Sequence, residues 1–138
     1  MTSHKRIRKV NSRGGLLLPN IDYQASQAVR AGNMVFLTGQ TGLSLETGEF
    51  IGVGDPAAQA ENAMHCVKVL LEEAGSRMKD ICKVTTYVTD ISYRETVYPV
   101  LAKHLKDIHP CSTGLVVKNL ALPEMDFEID VIAVIPEK

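Results

Sequence analysis

Residues 55–89 read DPAAQAENAMHCVKVLLEEAGSRMKDICKVTTYVT, and the two elements they encode set the fold class. Asp55 is a strong N-cap, because its carboxylate can accept from the free N–H groups of a first helical turn. Pro56 suits the first helical position, where no N–H is needed. Ala60, Ala63, Met64, Val67, Leu70, Leu71 and Ala74 then recur at helical spacing,. Gly75 supplies the left-handed stop. The apolar stripe is small at its start and large near its end, which suits packing flat on a sheet. Ile81 to Thr89 follows as an alternating, β-branched strand.

Upstream, Gln27 to Ala31 and Met34 to Thr38 read as two strands joined at Ala31-Gly32-Asn33, where Gly and Asn tolerate positive φ. Thr41 to Gly54 reads as loop. Downstream, Ser92-x-x-Glu95 predicts a capping box that opens a second helix. Val97, Leu101, Leu105 and Ile108 carry its core face. Pro99 within it predicts a kink or a helix that settles only after it, and His109-Pro110 its end. Thr113 to Val117 and Phe127 to Val134 are the last strands. Residues 1–20 are expected to be an N-terminal arm and residues 21–138 a single domain. Within the arm, Lys5 to Val10 is either an edge strand guarded by its own charges or a solvated tail. The order predicts an α+β layer: one mixed six-stranded sheet, counting the arm strand, with two helices on one face. The chain has no further element to cover the other face, so self-association through it is expected.

Composition narrows the function. The chain has 138 residues and a formal net charge of −1, so no global field draws nucleic acid or anionic membrane,. It has no Trp and few stacking platforms,. Cys66, Cys82 and Cys111 make an odd set without CxxC spacing, against a disulfide framework or a zinc site, so a reducing cytoplasmic setting is expected,. Cys66 and Cys82 fall in core patterns. No apolar run reaches the length of a membrane span. The basic start leads only to Gly-Gly-Leu-Leu-Leu-Pro, too short for a signal-peptide core.

Several motifs stand in one order: SQAVRAGNMVFLTGQ at residues 26–40, a helix ending LEEAG at Gly75, KVTTYVTD at 83–90, His109-Pro110 and the terminal FEIDVIAV. Together they resemble the Rid/YjgF/UK114 type, the endoribonuclease L-PSP-like family, over about Tyr23 to Val134. The resemblance implies a chorismate-mutase-like fold, a homotrimer with a barrel-like centre, pockets between subunits, and cofactor-independent hydrolysis of imines or enamines to ammonia and a carbonyl compound. By the same resemblance Thr38, Gly39 and Gln40 belong to the pocket, and Glu128 matches its last-strand glutamate. Ser112 stands where the family has a carboxylate-clamping arginine, in Pro110-Cys111-Ser112-Thr113. Ala25 stands where it has a tyrosine, with Tyr23 two residues away, and Tyr98 replaces an asparagine. A hydroxyl cannot imitate a bidentate guanidinium, so an altered substrate range is implied.

The residues themselves leave alternatives. Glu128 either shares a solvated acidic row with Asp126 and Asp130 or, in a cleft, has its pKa raised and positions water. The family match favours the cleft. Thr38-Gly39 either offers a hydroxyl and an approachable backbone N–H or merely bends a strand end. Cys111 could be a nucleophile beside His109 or His104, but no cysteine-enzyme signature accompanies it. The histidines form no metal spacing. Arg30 or Lys118 could replace the missing cation. Two functions follow: a deaminase acting through Glu128, or a non-catalytic trimer that binds a metabolite or a protein. Action on nucleic acid ranks third.

Overall fold

The computed structural model describes residues 3–137, so positions 1, 2 and 138 of the arm and domain lie outside it. Six strands form one mixed sheet: β1 (Lys5–Asn11), β2 (Gln24–Ala31), β3 (Met34–Leu37), β4 (Ile81–Val88), β5 (Cys111–Val116) and β6 (Phe127–Val134). Their order is β1-β2-β3-β6-β4-β5, with only β4 and β5 parallel. Two helices, α1 (Pro56–Glu73) and α2 (Arg94–His104), pack on one face and on each other. Of the two readings of Lys5 to Val10, the strand is the one observed: β1 pairs antiparallel with β2, Lys5 opposite Arg30 and Asn11 opposite Gln24.

Helix α1 forms as its sequence dictates. The Asp55 carboxylate accepts from the Ala58 N–H at 3.2 Å, Pro56 opens the helix, and Gly75 follows its end at φ 82. Its stripe meets the inward side chains Val35, Val84, Phe127, Ile129 and Val131, all essentially buried. Strand β6 alternates strictly, with Phe127, Ile129, Val131 and Ala133 inward and Glu128, Asp130, Ile132 and Val134 on the other face,.

Four expectations are corrected. No capping box forms at Ser92: the Asp90 carboxylate takes the Ser92 N–H at 2.9 Å and its hydroxyl at 2.7 Å, and a short 3-10 turn (Ile91–Tyr93) precedes α2. An aspartate two residues upstream captures those donors first. Helix α2 passes through Pro99 but stops at His104, because Asp107 and His109 take positive φ (66° and 53°) and cannot continue a right-handed helix,. Leu105 and Ile108 therefore pack on the core from outside the helix. Cys82 is exposed rather than in the core, since a register shift between Ile81 and Lys83 removes it from the alternation,.

The face away from the helices is apolar at its centre, around Phe36, Met34, Ile132 and Val134. It is polar toward β4, where the Tyr87 hydroxyl donates to Asp130 at 3.2 Å and the Lys83 ammonium to the Thr113 hydroxyl at 2.6 Å.

Candidate active site

A cavity of about 810 Å³ opens where β1, β2, the end of β3 and β6 meet the loop before α1. Its floor is the turn out of β3. Gln40 and Ile129 exchange both backbone hydrogen bonds, at 2.8 and 2.9 Å, so Thr38 and Gly39 are held beside β6. The Glu128 side chain lies against Gly39 so closely that an added Cβ would come within 2.7 Å of the carboxyl carbon. Gly39 is thus required for close approach, and it lies outside the positive-φ region,.

Glu128 is half-buried and its carboxyl has no hydrogen-bond partner among the described residues. Burial pushes its pKa above the ordinary carboxylate value, and the nearby Asp130 charge adds to the shift,. The Gly39 N–H likewise has no partner among the described residues. The Thr38 hydroxyl donates to the Ser26 carbonyl at 2.6 Å, which leaves its lone pairs free to accept,. Gln40 has a structural part: it is buried and its amide donates to Gln27 Oε1 at 2.8 Å and to the Thr38 carbonyl at 2.9 Å.

Tyr23, just before β2, and Ala25, on it, both line the cavity. Within one chain the other sequence candidates stand elsewhere. Tyr98 is on the helix side, its hydroxyl 3.2 Å from the Thr86 hydroxyl and against Gly114. On β5, Ser112 pairs with the inward Val84 of β4, while Cys111 and Thr113 pair with Lys83 and Thr85 on the opposite face. Arg30 supplies no cation, because its guanidinium donates to the Ala74 and Gly32 carbonyls.

The sequence reading missed three groups. Gln59 is buried in α1 and donates to the Gly52 and Glu124 carbonyls at 2.9 and 3.0 Å, while its Oε1 accepts from the Asp126 N–H at 2.8 Å, so it anchors the entry to β6. Asn62 donates to the Thr41 and Leu43 carbonyls, both at 2.9 Å, and holds the cavity loop on α1. Leu16, Leu17 and Leu18 line the cavity from the β1–β2 connection. The signal for the leucines was present in Gly-Gly-Leu-Leu-Leu-Pro, three large apolar residues in a loop. No group of His, Cys, Asp or Glu among the described residues is arranged to hold a metal, and no helix among them is long and apolar enough to cross a membrane.

The family model described as endoribonuclease L-PSP matches residues 19–135. A RutC family protein of Aquifex aeolicus is 34% identical over 112 residues, 79% of this chain and 86% of that one. A 2-iminobutanoate/2-iminopropanoate deaminase of Dermatophagoides farinae is 29% identical over 95 residues, 69% of this chain and 73% of that one. Among solved structures, a member of the YjgF/YER057c/UK114 family from Mycobacterium tuberculosis superposes with a TM-score of 0.77 at 28% identity, covering 96% of this chain and 100% of that one.

Proposed function

Because this chain belongs to the endoribonuclease L-PSP family and resembles a 2-iminobutanoate/2-iminopropanoate deaminase, we propose that it hydrolyses reactive imines or enamines without a cofactor, with Glu128 as its acid–base group. The observation that carries this is an unpartnered, half-buried carboxyl with a raised pKa, set against Gly39 at the end of a cavity. A carboxyl whose pKa is raised holds a proton more readily than a free one and can both accept and return it,.

In this reading Glu128 orients water and takes its proton as the oxygen attacks the imine carbon. The carbinolamine oxygen accepts a hydrogen bond from the Gly39 N–H, and its O–H donates one to the Thr38 hydroxyl oxygen. Glu128 passes the proton taken from water to the imine nitrogen, giving the carbinolamine; it then takes the carbinolamine hydroxyl proton and hands it to the amino nitrogen, so that the C–N bond breaks as C=O forms and ammonia and a carbonyl compound leave. The cavity is open in one chain, and nothing among the described residues covers the apolar face bearing Phe36 and Met34. A homotrimer packed on that face would cover it.

The test is hydrolysis of imines generated in situ by an amino-acid or amine oxidase. Glu128→Gln is expected to lower the rate by about 100-fold or more, with sedimentation giving a trimer. Full activity in Glu128→Gln refutes the assignment. The second reading, a module that binds without turnover, is favoured by the apolar cavity wall; ligand-dependent thermal shifts in a protein inert toward every imine would establish it.

A further inference from the structure

The β1–β2 connection is tied to itself. Arg13 pairs with Asp22 at 2.8 Å, the Ser12 hydroxyl donates to the Ile21 carbonyl and accepts from the Tyr23 N–H, and the Gly14 N–H donates to the Pro19 carbonyl at 2.8 Å. Such a loop has a defined shape, yet it turns its leucines away from the core: Leu16, Leu17 and Leu18 are 62%, 44% and 42% exposed. They line the same cavity as Val10, Ala121 and Met125. The only cation among the lining residues is Arg8, and its guanidinium is taken by both Glu73 carboxylate oxygens, at 3.0 and 2.7 Å, and by the Leu45 carbonyl at 3.2 Å. A second carboxylate placed here would face Glu128 with no free cation of the same chain among the lining residues.

Resting on the deaminase reading, we infer that the site takes neutral imines or enamines with an apolar body, and that Leu16, Leu17 and Leu18 determine this specificity. The cavity is apolar along its wall and polar at one end, where Glu128 and the Gly39 N–H stand. That matches a molecule with a hydrocarbon body and one reacting C=N group. An amphipathic ligand of this kind covers the leucines and leaves no charge unpaired.

The test compares the matched imines of isoamylamine and of leucine, which differ only in the carboxylate, each generated in situ by its oxidase and followed by loss of imine absorbance. The wild type is expected to favour the neutral imine by about tenfold or more in kcat/KM, and Leu17→Gln with Leu18→Gln to raise KM for it about tenfold with kcat nearly unchanged. A preference for the leucine imine, abolished by Glu128→Gln, overturns the inference and leaves the deaminase reading standing. If neither imine is turned over, the deaminase reading fails, and calorimetry with isovaleramide and the keto acid of leucine decides the specificity: tighter amide binding supports it and tighter keto-acid binding overturns it. A changed sedimentation coefficient in the leucine variant makes the loop a subunit contact and also overturns the inference.

Discussion

Gly39→Ala isolates the role of the carboxyl. Its new Cβ would stand 2.7 Å from the Glu128 carboxyl carbon and 3.0 Å from its Cγ. Carbon atoms settle at about 3.5–4.0 Å, so the side chain must retreat by roughly 1 Å. The Gly39 backbone is outside the positive-φ region, so alanine adds no strain of its own. Glu128 can swing into the open cavity, which holds the overpacking cost near about 1 kcal/mol. The smaller unfolded-state entropy of alanine offsets about 0.4–1 kcal/mol of that. Stability is therefore expected to change by less than about 1 kcal/mol, measured by urea denaturation. Activity is expected to fall about 100-fold, because a 1 Å displacement of a reacting group costs on that order. Glu128→Ala is expected to lose more, and adding Gly39→Ala to it to lose nothing further. Wild-type imine hydrolysis in Gly39→Ala refutes the reasoning, as does an undiminished Gly39→Ala effect in the Glu128→Ala background.

Three other outcomes are expected. The raised pKa of Glu128 means that the native chain binds its proton more tightly than the unfolded chain, so stability falls as pH rises from the ordinary carboxylate value through the raised one,. Glu128→Gln should therefore be more stable than wild type at neutral pH, with the gain vanishing in acid below the ordinary value, as thermal melts across that range will show. Tyr98→Phe removes a hydroxyl bonded to Thr86 on the helix side; stability should fall by about 1 kcal/mol in denaturant titration, with kcat/KM unchanged. Gln59→Leu keeps the volume but strips the Gly52 and Glu124 carbonyls and the Asp126 N–H of their partner. It should cost about 2–3 kcal/mol by the same titration and lower activity through the displaced start of β6.

Much of the fold was legible because its causes are local. Asp55, Pro56 and Gly75 cap α1 through bonds and dihedrals within a few residues, and the apolar spacing between them assigns its buried face. Alternation alone separates the inward Phe127, Ile129 and Val131 from the outward Glu128 and Asp130. The face to which Glu128 points therefore followed from its own strand, and its membership in a site from the motifs around it. Competing local signals blurred the rest: Asp90 outbid Ser92 for the same N–H, and positive φ at Asp107 and His109 ended α2 early.

The tertiary structure decided what depends on residues far apart in the chain. The contact between Gly39 and Glu128 exists because β3 and β6 became neighbours, and no local pattern specifies which strands pair. A single register shift exposed Cys82 against its own periodicity. Ser112 fell on the helix side of the sheet once β4 and β5 paired in parallel, Tyr98 on α2 met Thr86 beneath it, and Arg30 was drawn to the end of α1. The leucines of the β1–β2 connection, apolar yet outside every core element, acquired a place only when that loop closed on itself beside Glu128. Capping and periodicity act over one turn or one pleat, whereas a cavity is shaped by packing among segments whose separation in sequence carries no information about their distance in space.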